Sequence, residues 1–136
     1  MYRLGVQEWF SSAHQLKGYR GKCEAVHGHN WKVEVEVEGE RLNEIGLLID
    51  FSDLKRIVRE IIGPMDHVLL NEVDAFHEEN PSSEHIARYI YMELATRLPA
   101  GVQPRSVTVW ESEKARATYT EGPTRRARSA GGARLF

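Results

Sequence analysis

The stretch HGHNWKVEVEVE, residues 27–38, gives the clearest structural signal in the chain. From Trp31 to Glu38, apolar and charged residues alternate without a break. Successive side chains of a β-strand point to opposite faces, so this alternation predicts a strand with one buried and one solvated face. A sheet with one wet face is typical of antiparallel pairing. Gly39, directly after the stretch, predicts a turn.

Shorter patterns on both sides of this strand predict the rest of the fold. Residues 2–10 also alternate, with Glu8 interrupting the apolar side as either a bulge or a functional carboxylate. The elements expected elsewhere are a short partner strand over 46–51, helices over 52–62 and 82–98, and strands over 107–110 and 115–121. Strands at both ends of the chain, with helices between them, predict an α+β fold with an antiparallel sheet, in the order ββααββ.

Length and composition place the chain among ordinary globular proteins. Its 136 residues, 41% hydrophobic and 28% charged, suit one domain and exclude collagen-like, low-complexity and wholly disordered chains. We find no apolar run long enough to span a membrane and no signal-peptide pattern. One cysteine allows no internal disulfide, so we expect a cytoplasmic protein.

The distribution of charge argues against nucleic acid as the main partner. The formal net charge of −2 is too close to neutral for that class of protein. Residues 123–136 carry four arginines and no acid, which leaves −6 on residues 1–122. We expect one domain over 1–122 and a flexible basic tail over 123–136, with a basic docking arm as the alternative for the tail.

Histidines at metal-ligand spacing begin the central strand. His27 and His29 are two residues apart and therefore point to the same face as Trp31. If the first strand continues without a bulge, His14 lies in phase with Phe10, and three imidazoles could converge from neighbouring strands. Three protein ligands with an open fourth position are typical of catalytic zinc, whereas structural zinc usually has four ligands, often cysteines. The alternative is a set of buried histidines bonded to carbonyl groups.

Three further groups have both a structural and a functional interpretation. Cys23 is either a small buried apolar residue or a reactive thiolate. Asp66 and His67 are either a loop feature or, in an irregular turn, an acid–base pair. The phase of its strand points Glu111 inward, where its partner is either Arg88 or a ligand that presents an N–H edge.

Six ordered motifs together resemble one known family. They cover most of residues 6–121, and six motifs in order are far more specific than any one of them. The motifs are Phe10-Ser-Ser-Ala-His14, Cys23-Glu-Ala-Val-His27-Gly-His29-Asn30, Gly46-Leu-Leu-Ile-Asp-Phe51, Met65-Asp-His67 through Leu70-Asn71, Asn80-Pro-Ser-Ser-Glu84 and Trp110-Glu111. The chain resembles the 6-pyruvoyl-tetrahydropterin synthase superfamily, and within it the bacterial 6-carboxy-5,6,7,8-tetrahydropterin synthases of the queuosine pathway. The tail after Gly122 lies outside the resemblance.

The resemblance implies a set of site residues. The zinc ligands it implies are His14, His27 and His29, and the catalytic residues are Cys23, Asp66, His67 and Glu111. Cys23 is implied to be the thiolate that abstracts a proton, with Asp66 and His67 as acid–base partners. Glu111 is implied to grip the pterin ring and to be linked with the catalytic relay. Ser82 and Ser83 match hydroxyl residues near the pterin, although helix capping explains them equally well.

The spacing between Cys23 and His27 separates the subfamilies. Three residues lie between them, as in the carboxy-tetrahydropterin enzymes, whereas the pyruvoyl synthases typically have five. The resemblance therefore implies a zinc-dependent lyase that converts 7,8-dihydroneopterin triphosphate to 6-carboxy-5,6,7,8-tetrahydropterin, acetaldehyde and triphosphate. The alternatives are 6-pyruvoyl-tetrahydropterin formation, with loss of triphosphate alone, and a non-catalytic pterin- or metal-binding module. Because Glu24 resembles the glutamate of a folate-linked group, a dual activity is a further alternative.

The family fold implies an assembly as well. In this tunnelling fold, four-stranded sheets with two helices on one face join as a trimer into a barrel. Two trimers stack as a homohexamer, with sites between subunits. Barrel closure across chains would remove the exposed sheet edges. Candidates for binding the triphosphate are Lys17, Arg20 and Lys22, with solvated charge as the alternative.

Overall fold

The computed structural model describes residues 1–21 and 24–122, which form one antiparallel sheet and two α-helices. The strands are β1 (Tyr2–His14), β2 (His27–Gly39), β3 (Gln103–Ser112) and β4 (Ala115–Tyr119), and the helices are α1 (Phe51–Ile62) and α2 (Ser83–Arg97). Between the helices lie the 3-10 helices Gly63–Met65, Leu70–Glu72 and Asp74–Phe76. The strands pair in the order β1-β2-β3-β4. The predicted α+β fold in the order ββααββ is confirmed.

The two helices cover one face of the sheet and bury its apolar residues. Trp31, Val33, Val35 and Val37, the apolar positions of the central stretch, are fully buried, as their alternation predicts. They form one core with residues of both helices, including Leu54, Val58, Ile86, Ile90 and Leu94. Each such side chain stabilises the fold by about 1.5–3 kcal/mol relative to exposure. None of the described helices is long and apolar enough to cross a membrane.

Strand β1 is longer than predicted and continues through Glu8 without a bulge. Its pairing with β2 is unbroken from Tyr2 opposite Gly39 to His14 opposite His27. The Glu8 carboxylate lies 3.1 Å from the guanidinium of Arg59 on α1. The bulge interpretation of Glu8 is therefore wrong, and this carboxylate joins β1 to α1 through an ion pair, while a functional role for it stays a prediction. The unbroken pairing keeps His14 on the buried side of β1.

The short partner strand expected over 46–51 is wrong, because this segment is a turn that leads into α1. Asn43 Oδ1 accepts two backbone N–H bonds inside the turn, both at 3.0 Å. Asp50 caps α1 by accepting from a backbone N–H at 2.7 Å. Leu48 and Ile49 are buried. Their apolar run therefore fills the core without pairing, a distinction that a short run of this kind does not encode.

The other predicted bounds are close to the observed ones. Both helices begin or end within one residue of the expected positions. Strand β3 starts earlier than predicted, at Gln103, and β4 ends at Tyr119. Lys22, Cys23 and the tail over 123–136 lie outside the described residues, so the boundary between domain and tail stays a prediction.

Candidate metal and catalytic site

Four side chains with metal-binding atoms converge at one end of the sheet. His14 ends β1, His27 begins β2 directly opposite, and His29 follows on the same side of β2. Glu111 lies near the end of β3. One nitrogen or oxygen atom of each residue lies within 4.8 Å of the others. The structure thus brings together the three imidazoles expected to converge and adds a carboxylate to them.

The pairing of β1 with β2 and the buried Trp31 hold the three rings in place. The ring centroids of His14 and His27 are 4.6 Å apart, and those of His27 and His29 are 4.8 Å apart. Trp31, which is fully buried, meets His14 and His29 edge to face, with centroids 4.9 and 5.2 Å away. Its indole nitrogen donates to the carbonyl oxygen of Ser12 at 3.1 Å. The rings of His14 and His29 therefore pack against the Trp31 indole, which is itself hydrogen-bonded to β1.

Backbone carbonyls assign the protonation of two of these rings. His14 Nδ1 lies 2.8 Å from the carbonyl oxygen of Pro81, and His27 Nδ1 lies 2.9 Å from that of Ala25. Because a carbonyl oxygen only accepts, each Nδ1 carries the proton, and in a neutral ring Nε2 keeps a lone pair. The two Nε2 atoms are 3.0 Å apart. Lone pairs at this distance repel unless a proton or a cation lies between them, so the pair fits a metal ion.

His29 and Glu111 complete a donor set that fits a metal. His29 Nε2 is buried and has no hydrogen-bond partner among the described residues. Burial is the main cause that lowers the pKa of His29, against the Glu111 carboxylate, which raises it. The ring therefore favours the neutral form, which is the form that binds metals. Glu111 Oε1 lies 3.4 Å from His14 Nε2 and 3.5 Å from His29 Nε2. Imidazoles and a carboxylate are ligands that zinc accepts.

The placement of Glu111 agrees with its predicted inward phase but not with Arg88 as its partner. Arg88 Nη2 lies 2.7 and 2.6 Å from the two carboxylate oxygens of Glu79 instead, which lowers the pKa of Glu79. The pairing of β3 with β4 shifts register between Trp110 and Ser112, at the position of Glu111. Such irregularities re-aim single side chains. The Glu111 side chain is 35% exposed, so the carboxylate borders both the cluster and solvent.

Asp66 and His67 form a pair in the irregular turn that such a pairing requires. The Asp66 carboxylate lies 2.9 Å from His67 Nδ1. His67 has φ +56°, a left-handed conformation that is uncommon for residues other than glycine. Ser11 on β1 holds both residues, since its N–H donates to Asp66 Oδ1 at 2.9 Å and its carbonyl accepts from His67 N at 2.6 Å. Asp66 and His67 are thus both fixed against one residue of β1.

The hydrogen bonds of this turn keep Asp66 ionised. The Ser11 N–H lowers the pKa of Asp66 most; burial opposes this, and the bond and charge of His67 add to the lowering. A charged Asp66 favours the proton on His67 Nδ1, which leaves Nε2 to exchange protons. The His67 side chain is 79% exposed. The His67 side chain therefore faces outward, and neither Asp66 nor His67 belongs to the four-residue cluster.

Sequence reasoning missed the serines that carry this turn. The Ser12 hydroxyl is hydrogen-bonded to the carbonyl oxygen of Met65 and accepts from Val68 N at 3.3 Å. An open depression of about 290 Å³ is lined by Ser11, Ser12, Gly28, His29 and Asn30. The depression therefore borders both His29 of the cluster and the segment of β1 that binds Asp66 and His67. The signal in the sequence is two consecutive serines on a strand just before a histidine.

The remaining candidate residues lie at the start of α2, in a loop or outside the described residues. Ser82 caps α2 by accepting from His85 N at 3.1 Å, and Ser83 is the first residue of that helix, so their role toward a substrate stays a prediction. His77 is exposed on its loop. His85 is half-buried, and its Nδ1 lies 2.6 Å from the Asn80 carbonyl. Cys23 lies outside the described residues, so its role also stays a prediction.

One family model matches most of the chain, and similar known proteins carry related names. The sequence model of the family described as 6-pyruvoyl tetrahydropterin synthase matches residues 3–122. A protein of Archaeoglobus fulgidus, provisionally named a 6-carboxy-5,6,7,8-tetrahydropterin synthase, is 46% identical over 110 residues, which cover 81% of this chain and 88% of that protein. A Synechocystis protein named 6-carboxy-5,6,7,8-tetrahydropterin synthase is 36% identical over 115 residues, which cover 81% of this chain and 86% of that protein.

A solved structure has the same fold. The 6-pyruvoyl tetrahydropterin synthase of Caenorhabditis elegans aligns with a TM-score of 0.76 at 24% identity, covering 89% of this chain and 96% of that one. At this identity the likeness bears on the fold alone. The family match runs from β1 beyond β4 and includes all four residues of the His–Glu cluster. The chain therefore belongs to the 6-pyruvoyl tetrahydropterin synthase family.

Proposed function

We propose that the chain is a zinc-dependent lyase that converts 7,8-dihydroneopterin triphosphate to 6-carboxy-5,6,7,8-tetrahydropterin, acetaldehyde and triphosphate. The observation that carries the proposal is the convergence of His14, His27 and His29, two of them with Nδ1 bonded to carbonyls. The names of the relatives supply the substrate class. The three residues between Cys23 and His27 favour the carboxy product. The reaction belongs to queuosine and 7-deazapurine biosynthesis, in the cytoplasm.

In this proposal the three imidazoles hold zinc and Glu111 binds the pterin. When bound there, zinc supplies a Lewis acid that favours negative charge on the hydroxyl groups of the substrate side chain. His14 is 1% exposed, whereas Glu111 is 35% exposed. The carboxylate is therefore the member of the cluster best able to turn toward a substrate. A carboxylate that faces two N–H groups of a pterin ring makes two charge-assisted hydrogen bonds.

Proton transfer falls to three residues of the chain. The Cys23 thiolate takes a proton from the substrate side chain, and His67 accepts or delivers protons in turn. The Asp66 carboxylate, whose pKa is lowered, holds the His67 ring through its Nδ1. No nicotinamide or flavin is needed, because the pterin ring receives the electrons internally.

The same proposal includes a homohexamer of two stacked trimers, with sites between subunits. Strands β1 and β4 are at the edges of the sheet, and, among the described residues, 67–69 cover the end of β1. Pairing of edges between copies would satisfy their backbone groups. The exposed His67 would then lie in a pocket that a second copy helps to form.

Formation of 6-pyruvoyl-tetrahydropterin is the second candidate, because the family model carries the name of that activity. The two candidate reactions differ in whether a carbon–carbon bond of the substrate side chain is cleaved. The carboxy product requires cleavage of a carbon–carbon bond of the side chain, in which one water molecule is consumed and acetaldehyde is released, whereas the pyruvoyl product requires loss of triphosphate alone, without water.

Identification of all products decides between them. The zinc-loaded protein is incubated with 7,8-dihydroneopterin triphosphate, and pterins, acetaldehyde and triphosphate are quantified. We expect acetaldehyde and triphosphate in equal amounts with 6-carboxy-5,6,7,8-tetrahydropterin. Triphosphate without acetaldehyde identifies the pyruvoyl activity, and turnover by Cys23→Ala equal to that of the parent contradicts the catalytic proposal. His77→Ala, which changes an exposed loop histidine, is the matched control.

A further inference from the structure

Two asparagine side chains bind the backbone that follows β1. Asn71 Oδ1 accepts from Gln15 N, and Asn71 Nδ2 donates to the Gln15 carbonyl, both at 2.8 Å. Asn80 binds the N–H and the carbonyl of Lys17 in the same way, again at 2.8 Å. Alternate residues of an extended chain present their backbone groups on the same side. The two amides therefore replace a neighbouring strand.

Glu24 holds the opposite side of the same segment. Leu16 N donates to Glu24 Oε1 at 3.2 Å, and Glu24 N donates to the Leu16 carbonyl at 3.1 Å. The Gln15 side chain also donates to the Glu24 carbonyl, at 2.8 Å. Residues 15–17 thus form a segment that is hydrogen-bonded on both sides, although β1 ends at His14.

This segment connects to His27 of the cluster through Glu24. The Glu24 carboxylate that accepts from Leu16 lies 3.7 Å from His27 Nδ1. The next residue, Ala25, supplies the carbonyl that binds the same ring nitrogen at 2.9 Å. The backbone that orients His27 therefore starts at Glu24 and depends on the position of the segment.

The segment connects to His14 more directly. Gln15, bound by Asn71, is the next residue in the chain. Pro81, which follows Asn80, supplies the carbonyl that binds His14 Nδ1 at 2.8 Å. The two asparagines come from separate elements, since Asn71 lies in a 3-10 helix and Asn80 precedes α2. Together they bind the residues that directly follow His14 in the chain.

We infer that Asn71 and Asn80 are positioning residues for the metal site, because their amides fix the segment 15–17 that sets His14 and His27 at their observed separation. The inference rests on the proposed metal-binding function and concerns residues that act through the backbone. Groups that orient metal ligands commonly change metal affinity by about 10–100-fold when they are removed.

The test is titration of the metal-free protein with Co²⁺ alone, whose visible absorbance reports the geometry of its ligands. We expect Asn71→Ala and Asn80→Ala each to raise the dissociation constant about 10–100-fold and to alter the absorbance. Asn43→Ala is the matched control. It also removes side-chain bonds to two backbone groups, but in the turn beyond the other end of β2. Its Co²⁺ affinity and absorbance should equal those of the parent.

Thermal unfolding of the metal-free variants separates positioning from general stability. If Asn43→Ala is destabilised as much as the other two but keeps its Co²⁺ affinity, the inference is supported. Folded Asn71→Ala and Asn80→Ala proteins with the parent's affinity and absorbance overturn it. Where an alanine variant does not fold, Asn71→Ser and Asn80→Ser, which keep one hydroxyl, are titrated under the same criteria. A parent protein that binds no Co²⁺ overturns both the proposed function and this inference, whereas unchanged variants of a metal-binding parent overturn the inference alone.

Discussion

The His–Glu cluster and the Asp66–His67 pair lie at the same end of the molecule but are built differently. The cluster combines residues of three strands, and His14 is only 1% exposed. The pair lies in a turn against the edge of the sheet, and the His67 side chain is 79% exposed. The sheet therefore completes the cluster within a single chain and presents the pair outward. Under the proposed function, this difference separates the residues that bind the metal from those that transfer protons.

The two regions also differ in how the backbone carries them. The cluster follows from regular pairing, because strand register sets the backbone of His14 opposite that of His27. The pair depends on His67 in the left-handed region and on two hydrogen bonds to Ser11. A conformation of this kind costs of order 1–3 kcal/mol and persists where the surrounding structure enforces it. We therefore expect changes in the cluster and in the pair to have separable effects.

The largest expected effect is in the cluster. His27→Ala removes one of three converging imidazoles, so we expect the protein to lose bound zinc. Turnover should fall by about a thousandfold or more, since a metal contributes several kcal/mol of charge stabilisation. Metal analysis after dialysis and product assays measure the two effects. A variant that keeps the parent's zinc content would show that the cluster is not the metal site.

The next effect is in the pair. His67→Ala should lower kcat by about 10²–10⁴-fold, the range typical of a general acid or base, and should leave the zinc content unchanged. Steady-state kinetics and metal analysis on the same sample check both statements. Equal loss of metal in this variant would remove the distinction between the two regions. His77→Ala provides the exposed-histidine control and should match the parent in both measurements.

A smaller effect concerns acid stability of the pair. Because the folded-state pKa of Asp66 is lowered, its contribution to stability is present above its unfolded value and is lost as the pH falls through the folded one. In urea unfolding of the metal-free proteins, the advantage of the parent over Asp66→Asn should be greater at about pH 6 than at about pH 3. An advantage of the same size at both pH values would show that Asp66 is not held in its charged form.

The smallest effect isolates the backbone of the turn. His67→Gly and His67→Ala both remove the ring, but only glycine adopts a positive φ without a steric penalty. We expect the glycine variant to be more stable than the alanine variant by about 1 kcal/mol in denaturant unfolding. Equal stabilities would mean that residue 67 is not held in the left-handed region.

Regular elements and the cluster could be predicted from the sequence, and the irregular parts could not. Alternation over 27–38 predicts β2, and the two-residue spacing of His27 and His29 places both rings on its buried side. The pattern over 46–51 wrongly predicts a strand, because the burial of this turn comes from a short apolar run with no period of its own.

The same limit applies to the site. The Asp66–His67 contact depends on Ser11, which is 55 positions away, and no local pattern encodes that bond. The hydrogen bonds of Asn71 to Gln15 and of Asn80 to Lys17 join residues that are 56 and 63 positions apart. They become visible only in the folded chain. Strand phase predicted that Glu111 points inward, but its histidine partners follow from the pairing of β2 with β3.

The most direct test of the metal site is a crystal structure of the zinc-loaded protein, with anomalous data collected at the zinc absorption edge. We predict one anomalous peak per chain at the end of the sheet, about 2.0–2.1 Å from the Nε2 atoms of His14, His27 and His29. A zinc-loaded crystal whose only peaks lie elsewhere, with these three nitrogens left uncoordinated, would contradict the account.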